Sequence, residues 1–252
     1  MPIQFARLEM VKLSAGKNAC QKSAYIGGYR IHCQRDGKTY YYTNKKDWAF
    51  SKIFLPKNVN KQFTDPEELW NEAENKETRI NSQVAKEVVL ALPDQHEISL
   101  EHKIQMACDF ANKYFVEEGL VSQVSIHSPG EKKDNNWHAH ILVTTRRFNE
   151  EGLKLDKKAR DTDARVCKGR VVDGRSWGEL WRNLQNEYFE ELGLELRVDP
   201  TGIVAQKHLG PIRFRAQAFA LLTDNEQRIE RNFIEASNPK AILEKITETK
   251  SV

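Results

Sequence analysis

Residues 121–145 read VSQVSIHSPGEKKDNNWHAHILVTT and predict the hairpin around which the fold is built. Two runs rich in β-branched residues flank a polar loop that carries a Pro-Gly turn signal. Side chains two residues apart on a strand point to the same face, so His138 and His140 are expected side by side. An antiparallel hairpin brings His127, at the end of the first run, next to them. The stretch therefore predicts three imidazoles on one face of a sheet.

Three neutral imidazoles that leave coordination positions open are a common way to hold a catalytic divalent metal ion. The H-x-H pair alone is weak support, because many such pairs are ordinary surface or core histidines. A third histidine on the adjacent strand, with matching side-chain parity, favours a metal site formed by His127, His138 and His140.

The rest of the chain predicts an α+β fold, with a mostly antiparallel central sheet and helices packed against it. Capping boxes open helices at Thr64 and Ser176, and Ser99 caps a third. We expect a main domain over residues 1–212 and a charged helical extension or tail over 213–252. The predicted elements are strands at 3–12, 53–56, 83–92, 121–127, 137–145 and 195–198, a hairpin at 29–43, helices at 18–26, 64–80, 99–119 and 176–193, and a long loop or loose hairpin at 148–173.

Composition limits the function classes. The 252 residues are 30% charged and 39% hydrophobic, and no apolar run is long enough to span a bilayer. The N-terminus lacks the apolar stretch of a secretory signal, and the four cysteines are scattered. No G-x-x-x-x-G-K-[ST] motif is present, which argues against an NTP-driven motor. We expect a cytoplasmic protein with reduced thiols and no membrane partner.

Charge is strongly segregated along the chain. Residues 1–62 hold 12 Lys and Arg against 3 Asp and Glu, whereas residues 63–119 hold 5 against 13. Residues 146–182 hold 11 against 7. The two basic segments are expected to form a surface for a polyanion. On charge alone, solvated lysines explain the pattern equally well.

Tyr25 is the most suggestive nucleophile, because it lies in the most basic segment, on a predicted short helix. A phenol, with a pKa of about 10, attacks poorly unless a metal or another cation stabilises the phenolate. A metal that polarises a phosphate would also stabilise the developing charge. From spacing alone, simple packing of a helical tyrosine remains the other interpretation.

The order of the motifs resembles that of MobA/MobL-family relaxases, including the staphylococcal nicking-enzyme branch. The resemblance covers roughly residues 3–212. It is carried by Ser23-Ala24-Tyr25, NSQVAKE at 81–87, Ile126-His127, WHAHIL at 137–142 and HLGP at 208–211.

The resemblance implies the two-layer sandwich of HUH relaxases and a function in conjugative DNA transfer. Tyr25 falls where the family has the tyrosine that attacks DNA, leaving a 5′-phosphotyrosine link and a free 3′-hydroxyl. The three histidines fall on the family's metal triad, which implies Mn²⁺ or Mg²⁺ as cofactor. Trp137 stands where the family usually has proline. The implied partners are hairpin and single-stranded DNA at an origin of transfer, with relaxosome accessory proteins and a coupling protein.

Two further sets of residues are expected to serve the site. Glu87, a carboxylate on an apolar strand, either orients a histidine or assists the tyrosine, or it simply pairs with a Lys or Arg. His208 is expected to mark the end of the domain. Phosphate contacts are expected among the basic residues Lys12, Lys17, Lys22, Arg30, Arg146, Arg147, Lys154, Lys157, Lys158, Arg160, Lys168 and Arg170.

Two alternatives stay open at this point. Rolling-circle replication initiators and transposases share tyrosine-plus-metal chemistry, but their tyrosine typically follows the histidine pair, whereas Tyr25 precedes it. A DNA-binding module without catalysis, with structural histidines, is the alternative from a different class.

Overall fold

A computed structural model of the chain describes most of its first 199 residues. The described residues are 4–94, 96–129, 136–162, 165–167, 170–173 and 177–199. All of them belong to the first of two units into which the chain divides, residues 1–199. The predicted extension at 213–252, His208, the Ser176 cap and Lys168 lie outside the described residues, and so does the predicted boundary at 212.

The described part of the chain contains 11 strands and four α-helices. The strands are β1 (Ala6–Lys12), β2 (Arg30–Cys33), β3 (Lys38–Tyr41), β4 (Trp48–Phe54), β5 (Gln83–Ala91), β6 (Ser122–His127), β7 (His138–Thr144), β8 (Arg146–Phe148), β9 (Leu155–Lys158), β10 (Arg165–Cys167) and β11 (Arg170–Asp173). The helices are α1 (Ala19–Gly27), α2 (Pro66–Lys76), α3 (Leu100–Ala111) and α4 (Trp177–Glu191). None of the described helices is long and apolar enough to cross a bilayer.

Five strands form one antiparallel sheet in the order β1-β5-β7-β6-β4. The predicted histidine hairpin is its centre, with His127 directly opposite His138 and Ser125 opposite His140. The predicted hairpin at 29–43 is the two-stranded ribbon β2–β3, and two more ribbons, β8–β9 and β10–β11, occupy the segment expected to be a loop or loose hairpin. The α+β class and the antiparallel sheet are confirmed.

Helices cover both faces of the sheet. On one face, Val124, Ile126 and Ile141 pack with Phe110 of α3 and Trp181 of α4 in one buried core. Alternation sends the intervening residues to the opposite face, where α1 and α2 lie.

On that second face, the buried Gln123 ties the sheet to both helices. It accepts hydrogen bonds from Ser23 Oγ of α1 at 2.6 Å and from Trp70 Nε1 of α2 at 2.8 Å. The histidines point to this face, under α1.

Helix α2 differs from its predicted limits. Its N-cap is Asp65, whose Oδ1 accepts from the Glu67 amide at 2.7 Å, because the Thr64 hydroxyl instead donates to Lys61 O within a preceding 3₁₀ turn. The helix ends at Lys76, not near residue 80, since Glu77 adopts extended backbone angles and binds Arg146.

Two strand predictions also need correction. Residues 195–198 form no strand, because the Asn186 side chain hydrogen-bonds both backbone groups of Val198. It accepts from the N–H at 2.8 Å and donates to the C=O at 3.0 Å. Of the short piece predicted at 53–56, only Ile53 and Phe54 form a strand, as the end of β4, which begins at Trp48. As an edge strand with partly exposed residues, β4 lacks the alternation that would reveal its length.

A candidate metal centre beside Tyr25

His127, His138 and His140 form a compact triangle at one end of the β6–β7 pair. Their ring centroids are 5.2 Å apart for His127 and His138, 4.7 Å for His127 and His140, and 5.0 Å for His138 and His140. One nitrogen from each ring lies within 4.8 Å of the other two. This spacing allows three imidazoles to bind one ion at the usual metal–nitrogen distance of about 2.0–2.1 Å.

Each imidazole is oriented by a hydrogen bond to an acceptor. His127 Nε2 lies 2.8 Å from Ile26 O, and His138 Nδ1 lies 2.9 Å from Asn136 O. His140 Nδ1 lies 2.7 Å from Glu87 Oε1. Carbonyl and carboxylate oxygens only accept, so these three nitrogens carry the protons. The lone pairs that remain are on Nδ1 of His127 and on Nε2 of His138 and His140.

Two of the imidazoles, His127 and His138, are shifted toward the neutral form that a metal ligand requires. Burial lowers the pKa of His127 to about 4, although the hydrogen bond to the Ile26 carbonyl acts in the opposite direction. Burial also lowers the pKa of His138. The donor set, its open side and its outer acceptors therefore fit a catalytic divalent metal ion.

Glu87 lies on β5 and is 2% exposed. Its Oε1 accepts from His140 Nδ1 at 2.7 Å and also from Lys22 Nζ at 2.8 Å. Burial alone would raise the pKa of this carboxyl group. The hydrogen bond from His140 and the charge of Lys22 outweigh it and lower the pKa to about 2. Glu87 is thus an ionised bridge between the triangle and α1.

Helix α1 holds Tyr25 over this end of the sheet. Its N-cap Asn18 accepts from the Gln21 amide at 2.9 Å, and its C-cap Gly28 has a φ of 67°, which favours glycine. The Trp48 indole lies so close to Gly28 that a Cβ there would come within 2.6 Å of Nε1. With Ile26 O bound to His127, the end of the helix is fixed against the metal centre.

Tyr25 is 41% exposed, and its ring centroid is 6.3 Å from that of His127. The Tyr42 ring meets it edge-on at 5.4 Å, and Lys45 Nζ lies 4.0 Å from its ring centroid. The structure thus brings the predicted nucleophile next to the predicted metal ligands. Beside the tyrosine is a cleft of about 270 Å³, lined by Glu9, Met10, Val11, Gly16, Lys17, Asn18, Gln21, Lys22, Tyr25, Tyr42 and Glu87.

Lys45 and Trp48 are site residues that the sequence analysis missed. Neither belongs to a motif, and the only signal was their position in the basic first segment. Both come to the site because β4 pairs with β6, which places Trp48 opposite His127.

The predicted DNA contacts divide into three groups. Lys22, Arg146, Arg147 and Lys158 are engaged by the protein itself. Arg146 and Lys158 contact Glu77 at 2.6 and 3.1 Å, and Arg147 forms two hydrogen bonds with Asp161. The exposed residues are Lys12, Lys17, Arg30, Lys154, Lys157 and Arg160, of which Lys17 lies 3.6 Å from Glu9 and Arg30 stacks on Tyr41. Lys168 and the side chain of Arg170 lie outside what the structure describes.

Within the described residues, the second basic segment begins away from the histidines. Strand β7 runs from His138 to Thr144, and Arg146 follows its far end. At about 3.3 Å per residue, Arg146 is roughly 20 Å from His140 along the sheet. Within the described residues, the cations near the triangle are Lys22 and Lys45.

A family model for the MobA/MobL family matches residues 17–211, most of the chain. The chain belongs to the MobA/MobL family. Among curated relatives, this MobA/MobL member is 26% identical to mobilization protein MobL of Acidithiobacillus ferridurans, over 92% of the chain and 68% of the relative. It is 32% identical to a probable mobilization protein MobA of Bifidobacterium longum, over 59% of the chain but only 26% of that relative.

A solved structure extends the similarity to three dimensions. It comes from a study of the molecular basis of vancomycin resistance transfer in Staphylococcus aureus, and its chain is 29% identical to this MobA/MobL member. The TM-score is 0.63, with 77% of this chain and 96% of the other covered.

Lys22→Met tests the bridge to Glu87. Because the change leaves a buried carboxylate without one of its two donors, we expect the free energy of unfolding to fall by about 2–4 kcal/mol. Lys17→Met is the matched control, since its pair with Glu9 is longer and exposed and should contribute only about 0–1 kcal/mol. Urea denaturation of both variants at pH 7 measures the difference. Equal losses would show that the bridge is not structural.

His127→Gln tests the neutral, buried state of the triangle. Its folded pKa of about 4 lies below the ordinary value of 6.5, so the unfolded chain binds a proton first as the pH falls. The stability contributed by neutral His127 is therefore complete above pH 6.5 and is lost toward pH 4, on the order of 3 kcal/mol. Urea denaturation of the metal-free protein over this range should show a shallower loss in the variant. Identical pH slopes would contradict the prediction.

Proposed function

We propose that the chain is the relaxase domain of a conjugative mobilisation protein, which nicks one DNA strand at an origin of transfer. The observation that carries the proposal is the juxtaposition of Tyr25 with three histidines, each of which has a nitrogen within 4.8 Å of a nitrogen of the other two. Family membership and relatives named as mobilization proteins support it. A tyrosine beside a metal centre suits transesterification of a phosphodiester, in which the enzyme oxygen replaces the leaving alcohol.

In the proposed reaction, the Tyr25 phenol oxygen attacks the scissile phosphorus. A tyrosine–phosphate bond forms as the bond between phosphorus and the 3′ oxygen breaks. The phenol loses its proton, the departing 3′ oxygen gains one, and the 5′ end of the strand stays on Tyr25. Bound at His127, His138 and His140, a divalent metal such as Mn²⁺ or Mg²⁺ would polarise the phosphate and stabilise its developing charge.

We assign Glu87 an orienting role in this reaction. A carboxylate whose pKa is about 2, and which already accepts from His140 and Lys22, is a weak base for a phenol proton. Its contacts instead fix the His140 ring and its tautomer, as outer carboxylates do at other metal sites. Through Lys22 it also sets the position of the helix that carries Tyr25.

The cleft beside Tyr25 is the proposed path of the single strand. Lys17, Asn18 and Gln21 line it, and the Tyr42 ring offers a surface for a base. Exposed basic residues farther away, including Lys154 and Lys157, are proposed to contact the phosphates of a neighbouring DNA hairpin. We propose that Arg146, Arg147 and Lys158 act mainly within the fold, because acidic partners already engage them.

The proposal concerns this segment of a mobilisation protein. The chain spans 68% of the MobL relative and about a quarter of the MobA relative. Contacts with relaxosome accessory proteins or a coupling protein, and action in the cytoplasm, are part of the proposal for the whole protein.

Tyr25→Phe is the direct test of the nucleophile. Supercoiled plasmid carrying the DNA that flanks the gene is incubated with protein and Mn²⁺, then resolved with and without protease. Wild type should give nicked circles with protein on the 5′ end, and the variant should lose the covalent product by at least about 10³-fold, because no oxygen remains to attack. The exposed Tyr41→Phe is the matched control and should retain activity.

Three results would overturn parts of this proposal. Covalent nicking by Tyr25→Phe would remove Tyr25 as nucleophile. DNA binding without nicking, together with DNA binding by His138→Ala and His140→Ala that does not depend on Mn²⁺, would favour the DNA-binding module. Nicking that needs replication factors at a double-strand origin would favour a replication initiator.

A further inference from the structure

Lys45 occupies the centre of the site, although no motif contains it. Its Nζ lies 3.3 Å from His127 Nδ1 and 4.0 Å from the centroid of the Tyr25 ring. Its side chain is only 15% exposed, so the ammonium is held where the tyrosine and the histidine triangle meet. This contact is specific, because the ammonium donates to a ring nitrogen and also lies over a ring face.

The contacted nitrogen is the one that a metal would need. His127 Nε2 is committed to Ile26 O, which leaves Nδ1 as its only lone pair. A metal bound to Nδ1 at about 2.0–2.1 Å would lie within about 5 Å of the present Nζ position. Two positive charges at that separation repel strongly in a partly buried site. The ammonium and the metal therefore cannot both keep these positions.

Asp47 provides carboxylate oxygens that can accept hydrogen bonds from the displaced ammonium. Its Oδ2 already lies 3.2 Å from Lys45 Nζ. Its other oxygen, Oδ1, is buried and has no hydrogen-bond partner within the described part of the chain. The Asp47 backbone is anchored to the hairpin, since its carbonyl accepts from the Ser128 amide at 2.7 Å. Asp47 is thus a fixed carboxylate with a spare acceptor beside the ammonium.

We propose that Lys45 holds the cation position between Tyr25 and the histidines in the metal-free protein, and that a divalent metal displaces its ammonium onto Asp47. The inference rests on the proposed metal site. It makes Lys45 a positioning residue: without metal it holds the Tyr25 ring and His127 together, and metal binding has to overcome its contacts. Lys45 accordingly lowers the metal affinity of the free protein, while Asp47 limits that loss.

Mn²⁺ titration calorimetry on the full chain, without DNA, tests the first half of the proposal. Lys45→Met should bind Mn²⁺ about three- to tenfold more tightly than wild type, because the metal no longer displaces a hydrogen bond and a cation–π contact. Lys45→Gln, which removes the charge but keeps a donor, should also bind more tightly. Lys45→Arg keeps the charge and should not. Lys46→Met, at the exposed neighbouring lysine, is the matched control and should equal wild type.

The direction of the change in Mn²⁺ affinity distinguishes the proposed role of Lys45 from a purely structural one. If Lys45 only supports the triangle, both neutral variants should bind Mn²⁺ more weakly than wild type. Weaker or unchanged binding in Lys45→Met and Lys45→Gln would overturn the proposal. So would a gain of equal size in Lys46→Met, which would reflect net charge alone.

A double-mutant cycle tests the second half. Asp47→Asn should weaken Mn²⁺ binding severalfold in the wild-type background, because the displaced ammonium loses its acceptor. The same change should have a smaller effect in the Lys45→Met background, where no ammonium needs accepting. Equal effects in both backgrounds would show that Asp47 acts independently of Lys45 and would overturn this part.

The readouts keep this inference apart from the proposed function. Tighter Mn²⁺ binding by the neutral variants supports the exchange even if the protein nicks no DNA. Normal covalent nicking by wild type, with Mn²⁺ affinity insensitive to Lys45, would reject the exchange and leave the proposed function standing. No Mn²⁺ binding by any variant would reject both the exchange and the metal site.

Discussion

The hydrogen bond between His127 Nε2 and the Ile26 carbonyl is the constraint on which the rest of the site depends. It joins the end of the central hairpin to helix α1 at 2.8 Å. It also commits Nε2, so that Nδ1 carries the lone pair of the neutral ring. One contact therefore sets both the ligand atom of His127 and the distance of Tyr25 from the metal centre.

A second link reinforces the first from the neighbouring strand. Glu87 accepts from His140 on the sheet and from Lys22 on the same helix as Tyr25. Lys22 lies three positions before Tyr25, which is close to one helical turn. The sheet and the helix are thus coupled at both sides of the triangle. A reaction that needs a nucleophile and a cation at fixed separation benefits from this rigidity.

The central hairpin and the histidine triangle could be predicted from the sequence, because a period of two sets which side chains of neighbouring strands share a face. The position of Tyr25 came from the resemblance to a family, since spacing alone could not place α1 over β6. Contacts between segments that are distant along the chain could not be predicted from the sequence. Arg146 looks like a free cation in the sequence, yet Glu77, far away along the chain, binds it. Lys45 entered the site only through the pairing of an irregular edge strand.

Some local predictions failed for equally local reasons. Thr64 matched a capping box, but the Asp65 side chain also reaches the helix amides, and Asp65 is the N-cap residue. The segment at 195–198 has strand-like residues, but an asparagine side chain took the backbone groups that a strand would pair. Sequence pattern identifies groups that can cap or pair, whereas hydrogen bonds from competing nearby side chains decide which of them does.

We propose that one cation is held by Nδ1 of His127 and by Nε2 of His138 and His140, beside Tyr25. A crystal structure with Mn²⁺, read from its anomalous scattering, tests this most directly. We expect a single strong peak bound by those three nitrogens, with the Ile26 carbonyl still bonded to His127 Nε2. A peak bound through His127 Nε2, or one located away from the triangle, would contradict the account.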